Sequence, residues 1–312
     1  MYDLMIIGAG PAGLAASVYA ARKQLNVVLV SGDIGGQLNT TAGIENYLGY
    51  QFIEGPEMVE KFNEQVDKYP IEQQIGNKVT GIKKINDGFE AVTEGGDKYQ
   101  ARAAIYATGK RPKKLGVPGE DEMAGRGVSY CAVCDGPIFS GQRVAVVGGG
   151  NSGLEAVLDM VKIARHVDLV TAEGLTGDEV LARQVKKAKK VNIYTGHRVV
   201  EINGDGFVSG MVIKDEKTGQ TKKLDVTGVF IEIGLVPNSD AIKGLVKLNK
   251  WGEVSVNCAT ETGVTGLYAA GDVTSVPEKQ IVVAAGEGAK ATLQAHRYLK
   301  RLGVAAASTN GW

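Results

Sequence analysis

The chain has 312 residues, 43 of them glycine, roughly twice the usual share of ~7%. With 35 basic and 35 acidic side chains the formal net charge is zero, which removes the electrostatic footprint of a general nucleic-acid binder, and 6% aromatics argue against a base-stacking surface. Only 8 prolines accompany the glycines, so these are neither collagenous nor a disordered Pro/Gly tract and must serve particular backbone conformations.

A chain of this length is expected to form about two domains. It opens on a short apolar strand, Leu4-Met5-Ile6-Ile7, that runs into Gly8-Ala9-Gly10-Pro11-Ala12-Gly13. No room for a signal peptide is expected before that loop, and no apolar run is long enough to span a membrane. The three cysteines do not make a secreted disulfide framework, so residence in the cytoplasm is expected. A helical pattern follows to Arg22, then a strand, Val27-Val28-Leu29-Val30. This is β-loop-α-β with G-x-G-x-x-G at the strand-to-helix turn. Its glycines allow a tight turn and close approach of a pyrophosphate, and the helix N-terminus offers unpaired N–H groups to that anion.

The unit recurs. Arg143 to Val147 leads into Gly148-Gly149-Gly150-Asn151-Ser152-Gly153, a helix runs to about Ile163, and Val167 to Val170 form the next strand. In both copies the last loop glycine lies 18 residues before the residue that ends the second strand, Ser31 or Thr171. Two further segments also repeat: Ala104 to Gly109 before Pro112, and Val229 to Gly234 before Pro237. Each is a buried-type strand followed by G-x-x-P, which punctuates a crossing between domains. Strand-like stretches at Phe89 to Val92 and Val208 to Ile213 fill the interior of each unit. The run Lys186, Lys187, Lys189 and Lys190 reads as a solvated helix face. Past 245, Gly252 to Val256 and Gly266 to Ala270 read as strands, the latter ending in Gly271-Asp272 ahead of a helix over about 280 to 301. That aspartate can accept from a sugar-alcohol hydroxyl; capping a turn is the plainer role.

Cys131-Ala132-Val133-Cys134-Asp135 carries the chemistry. Two thiols at C-x-x-C spacing on a turn or helix start can close a small disulfide, and the adjacent carboxylate can shuttle the proton that its cleavage needs. Half a zinc site is the alternative, but zinc wants four ligands, and Cys258, His166, His197 and His296 are scattered. No metal is therefore expected, and Cys258 reads as a small core residue.

Taken together, these motifs resemble the low-molecular-weight thioredoxin reductases over essentially the whole chain to about 302. The specific matches are Gly35-Gly36-Gln37-Leu38, Glu45-Asn46-Tyr47, Ala107-Thr108-Gly109, the Cys131 to Gly136 run and Gly271-Asp272. The stretches from Gly148 to Asp159 and from Gln280 to Lys290 also resemble the flavoprotein component of alkyl hydroperoxide reductase, which carries an additional N-terminal dithiol domain not expected here. The resemblance implies two nested Rossmann-like, three-layer α/β dinucleotide-binding domains: an FAD domain over 1–112 and 245–312, and an inserted NAD(P)-like domain over 113–244. It implies FAD with its pyrophosphate on the Gly8 to Gly13 loop (Gly8, Gly10, Pro11, Ala12, Gly13). Gln37, Asn46, Gln280 and Ile281 would lie near the flavin, and Asp272 at the ribityl chain. It also implies a homodimer, a thioredoxin-like protein partner, Cys134 as the flavin-proximal thiol, Cys131 as the interchange thiol and Asp135 as acid/base.

The electron donor departs from that pattern. Where the family carries a basic segment for the 2′-phosphate of NADPH, this chain reads Thr171-Ala172-Glu173-Gly174-Leu175, with no lysine or arginine until Arg183. A dianionic phosphate beside Glu173, Asp178 and Glu179 is disfavoured, so NADPH is not expected. Two readings stay open. NADH would bind with Glu173 on the adenine ribose and with Gly148, Gly150, Asn151, Ser152 and Gly153 around its pyrophosphate. Alternatively, ferredoxin reduces the flavin; Trp312 then either stacks on the isoalloxazine or merely ends an unstructured tail, the plainer expectation. An FAD-containing electron-transfer or redox-sensing protein, or an enzyme like ferredoxin–NADP reductase, is the alternative function.

Overall fold

The computed structural model describes residues 1–41 and 43–304. Contacts divide the chain into two units, one of Met1–Asn39, Pro56–Arg111 and the chain from Val236 onward, the other of Thr40–Gly55 and Pro112–Leu235.

The first unit begins with β1 (Tyr2–Ala9), α1 (Pro11–Arg22) and β2 (Val27–Ile34). It continues with α2 (Gly55–Asp67), β3 (Glu72–Ile75), β4 (Val79–Ile85), β5 (Gly88–Thr93), β6 (Lys98–Tyr106) and β7 (Lys110–Pro112). The strand order is β3-β2-β1-β6-β5-β4. Leu4 to Ile7 are buried on both faces, which is why β1 reads as an unbroken apolar run instead of alternating. One edge of β6 pairs with β1 in parallel.

The second unit holds β8 (Val128–Ser129), α3 (Ala132–Asp135), β9 (Arg143–Val147), α4 (Asn151–Ile163), β10 (His166–Thr171) and α5 (Glu179–Lys187). After them come β11 (Val191–Thr195), β12 (His197–Asp205), β13 (Phe207–Asp215), β14 (Thr221–Leu224), β15 (Gly228–Ile231) and β16 (Leu235–Pro237). Its parallel sheet has the order β11-β10-β9-β15-β8, and β12-β13-β14 form a separate antiparallel sheet. The chain leaves and re-enters the first unit through β7 and β16, which pair with each other. The first unit is completed by β17 (Leu267–Ala269) and α6 (Ile281–Arg301). The second edge of β6 is shared: β5 runs antiparallel along its first half, and β17 runs parallel along Ala104 to Tyr106.

The two β-loop-α-β copies have the same register, Ile7 opposite Val30 and Val147 opposite Val170. In the first, the small face of α1 lets α6 come close. A Cβ on Gly288 would lie 1.9 Å from the Ala12 carbonyl oxygen. One turn further on, the buried Thr292 hydroxyl donates to the Ala16 carbonyl at 3.0 Å. Thr292→Val keeps the shape and removes that bond, so it should lower stability by about 1 kcal/mol. Urea denaturation of the two proteins measures the difference.

Four local expectations change. Strand β2 runs past Ser31 to Ile34. Gly252 to Val256 is not a strand; Val254 makes only isolated bridges to Leu248 and Thr274. The reason is Asn249, whose side-chain oxygen accepts the N–H groups of Trp251 and Glu253 and turns the backbone away from a ladder. Asn257 does the same to Ala259 and Glu261, so Cys258 sits exposed on a turn and not in the core. In the lysine run, α5 ends at Lys187, so Lys189 and Lys190 lie beyond the helix. No helix among the described residues is long and apolar enough to cross a membrane.

Candidate functional site

Both glycine loops are built by the same close approach of backbone to backbone. A Cβ on Gly13 would lie 1.7 Å from the Gly8 carbonyl oxygen, and one on Gly153 would lie 2.1 Å from that of Gly148. Gly8 and Gly148 have φ of +103° and +137°, and their faces press on Ala107 and Glu232 at the ends of the central strands. The helices that follow are capped by Gly10 and Gly150, with no capping side chain and no acid in the first turn. Their leading N–H groups are thus left for an anion. A Cβ on Gly150 would meet nothing within 4 Å, so the approach from that side is open. The first loop fits the pyrophosphate of a dinucleotide, and the second has the same backbone form with the segment after β10 folded against it.

In the first unit the expected flavin residues converge. Gly35 and Gly36 take positive φ, the Asp33 carboxylate accepts the Gly36 N–H at 2.9 Å, and Leu38 is buried. Gln37 Nε2 donates to Asp272 Oδ2 at 3.3 Å. Burial raises the Asp272 carboxyl above the ordinary range, while Lys279, Lys110 and Gln37 pull it back. The Gly271 N–H donates to the buried Glu287 at 2.8 Å. Gln280 precedes α6, and Ile281 is its first residue. Thr108 is occupied structurally: its hydroxyl donates to the Asn238 carbonyl at 2.8 Å, and the Asn238 amide donates back to the Thr108 carbonyl. Next to it, Gly109 has φ +65°. Ser31 likewise spends its hydroxyl on the Ala9 N–H at 3.0 Å. Asn46 falls in Thr40–Gly55, grouped with the second unit. Trp312 lies outside the described residues.

A charge cluster around the buried Glu253 in the first unit has no signature in the sequence pattern. Lys110 is paired to Glu253, and Lys279 Nζ lies 3.5 Å from the same carboxylate. Burial works to raise Glu253, but hydrogen bonds from Lys110 and Asn249 and the field of Lys279 outweigh it, so its carboxyl is lowered. Burial lowers Lys279, and Lys110 adds to that, against Glu253 and Asp272.

In the second unit Cys131 and Cys134 form a disulfide with Cα atoms 5.3 Å apart. Cys131 caps α3, and its Sγ accepts the Cys134 N–H at 3.3 Å. The segment that leads into this turn is anchored by the buried Glu120. Its carboxylate accepts the Leu115 and Gly116 N–H groups and the Tyr130 hydroxyl, the last at 2.9 Å. Asp135 is buried in the same turn. A second carboxyl, Glu232, reaches the turn as well: its Oε1 accepts the Ala132 N–H at 3.3 Å. The signal for it was an acid inside the apolar stretch Val229 to Ile233, where a charge is out of place.

The segment after β10 folds onto the second glycine loop. Thr176 and Gly177 donate their N–H groups to the Gly149 carbonyl at 2.7 and 3.0 Å. Asn151, first residue of α4, accepts the Asp178 N–H at 2.7 Å and donates to its carboxylate at 3.3 Å. Glu173 is exposed at the end of β10, and Ser152 is exposed on α4. No cation lies between Thr171 and Arg183.

Residues 2–288 match the family described as pyridine nucleotide-disulphide oxidoreductase. An alkyl hydroperoxide reductase component of Pseudomonas aeruginosa is 42% identical over 305 residues, covering 96% of this chain and 58% of that protein. The chain thus spans less than two thirds of that relative's length. The thioredoxin reductase structure from Streptococcus pyogenes superposes with a TM-score of 0.91 at 38% identity, covering 96% of this chain and 99% of that one. The thioredoxin reductase of Giardia duodenalis gives 0.88 at 33% identity, with coverage of 96% and 99%.

Proposed function

The chain belongs to the pyridine nucleotide-disulphide oxidoreductase family, and from that premise we propose that it is a thioredoxin reductase-like, FAD-dependent disulfide reductase. The observation that carries this reading is the half-buried Cys131–Cys134 disulfide beside the buried Asp135, in a chain with two uncapped glycine loops. Bound FAD would supply the two-electron carrier that the disulfide needs. The Gly8 to Gly13 loop, Gln37, Asp272 and the start of α6 would hold it.

The chemistry of the pair follows from its turn. Once the S–S bond is reduced, the Cys134 N–H stabilises a thiolate on Cys131, since a hydrogen bond to the charged form favours it. That thiolate attacks one sulfur of the partner's disulfide, and a mixed disulfide forms as the partner's S–S bond breaks. Cys134 then attacks Cys131, restores the internal disulfide and releases the partner as a dithiol. Asp135 supplies the proton to the departing sulfur. The partner is a thioredoxin-like protein, and the resemblance to thioredoxin reductases also supports a homodimer acting in the cytoplasm.

The donor is NADH, because the segment after β10 offers Glu173 to a ribose hydroxyl and no cation to a 2′-phosphate. A second reading has reduced ferredoxin as donor. It is favoured by Asp178, whose carboxylate sits against Asn151 at the first turn of α4 and repels a pyrophosphate there. Anaerobic mixing with NADH, NADPH or reduced ferredoxin, followed by flavin bleaching, separates the three. Bleaching by NADH supports the first reading, and bleaching by ferredoxin alone supports the second. Rapid bleaching by NADPH alone sinks both.

A further inference from the structure

Glu232 directly follows β15, whose residues are buried and uncharged. Its N–H donates to the Val147 carbonyl at 2.8 Å, which extends the ladder to β9 and fixes where the side chain starts. From there Oε1 accepts the Ala132 N–H at 3.3 Å. Ala132 is bonded to Cys131 and opens α3, which carries Cys134. The carboxyl and the disulfide therefore share one turn of backbone. Burial pushes the Glu232 carboxyl up to about 7; the Ala132 bond opposes the rise and the field of Glu155 adds to it. The charge whose field reaches it is that of Glu155 on α4; Asp135 follows Ala132 on α3, and the Lys113 side chain reaches toward Gly234, two positions further along the chain. From the loop after β9, Gly148 lies against the Glu232 backbone carbonyl and brings no side chain.

We propose that Glu232 is a positioning residue whose proton is linked to the redox state of the Cys131–Cys134 pair. With the disulfide intact, the ionised carboxylate takes the Ala132 N–H and holds the turn. Reduction breaks the S–S bond: two electrons and one proton leave one thiol and one thiolate. A thiolate in the same turn repels the carboxylate, so Glu232 takes up a further proton from water. When the thiolate is consumed by attack on a partner disulfide, the repulsion ends and Glu232 returns that proton. The inference rests on the proposed role of this pair as the redox centre.

The test equilibrates full-length, FAD-loaded wild type and Glu232→Gln with mixtures of reduced and oxidised dithiothreitol between about pH 6 and about pH 9. Thiols are then alkylated and counted by mass, with Cys258 as a constant reference. The reduction equilibrium constant of wild type divided by that of the variant should fall about tenfold from acid to alkaline pH, the effect of roughly one pKa unit of like-charge repulsion. A ratio that stays flat across that range overturns the inference and leaves the redox pair in place. A disulfide that does not reduce reversibly in either protein overturns both. Infrared difference spectra give a second readout on the wild type itself. Reduction should bring up a protonated carboxyl band that Glu232→Gln lacks, and a wild-type spectrum without it counts against the link.

Discussion

Replacing Cys131 with serine should lower thioredoxin-type disulfide reduction by at least about a thousandfold, while donor-driven flavin bleaching continues at its normal rate. The serine hydroxyl is not ionised near neutral pH, so no attacking anion forms, although the Cys134 N–H that stabilises it remains. Cys134→Ser should be equally inactive in turnover for another reason. Its Cys131 thiolate can still attack, but no second sulfur resolves the mixed disulfide. Mass spectrometry of that variant after mixing with an oxidised thioredoxin should show a trapped adduct, and Cys131→Ser should not. An adduct on the Cys131→Ser protein would reverse the two roles. Full reductase activity in either variant would remove the pair from the mechanism and favour an electron-transfer protein.

Gly13→Ala should strip the flavin. The added methyl would lie 1.7 Å from the Gly8 carbonyl oxygen, 2.9 Å from its carbon and 3.5 Å from Ile6 Cγ2. Backbone cannot step aside as a side-chain tip can, so the loop and the start of α1 must move apart. Overpacking of this kind costs about 1–3 kcal/mol. The displaced N–H groups are those expected to face the pyrophosphate, so FAD retention should drop by at least about tenfold. Gly153→Ala is the matched control. Its methyl meets the Gly148 carbonyl oxygen at 2.1 Å in the second unit, so it should keep its flavin and lose reduction by NADH. The ratio of flavin to protein absorbance after desalting measures the first effect, and circular dichroism checks that both variants fold. Flavin lost from Gly153→Ala and kept by Gly13→Ala would show that the loops have been assigned the wrong way round, and equal flavin content would count against the Gly8 to Gly13 loop as the FAD site.

Much of the candidate site was legible in the residues because its parts are local. A glycine loop between a strand and a helix is dictated by about six consecutive residues. The same holds for Cys131-Ala132-Val133-Cys134-Asp135. The turns that misled the reading were local too, but subtler. Asn249 and Asn257 redirect backbone N–H groups with one side-chain oxygen each, and a run such as Gly252 to Val256 looks like a strand until those bonds are known. Ser31 shows the converse. It stands where a ribose-binding acid is expected, and its hydroxyl proves to be engaged with Ala9.

By itself the sequence determined the two repeated nucleotide loops, the redox pair and the missing positive charge between 171 and 182. Each depends on residue type over a short span, and no distant partner is needed to read it. Only the tertiary structure brought Gln37 to Asp272 across 235 positions, and Glu232 to Ala132 across 100. It also gathered Lys110, Lys279 and Glu253 into one buried cluster. These pairings follow from strand order. β17 lies beside β6, and β15 lies beside β9, so the strand ends that carry the functional groups meet at one end of each sheet. Periodicity along the chain contains no record of which strands become neighbours. Burial of each group within its own unit then shifts the proton affinities of Asp272 and Glu232, which composition and motif could not reveal.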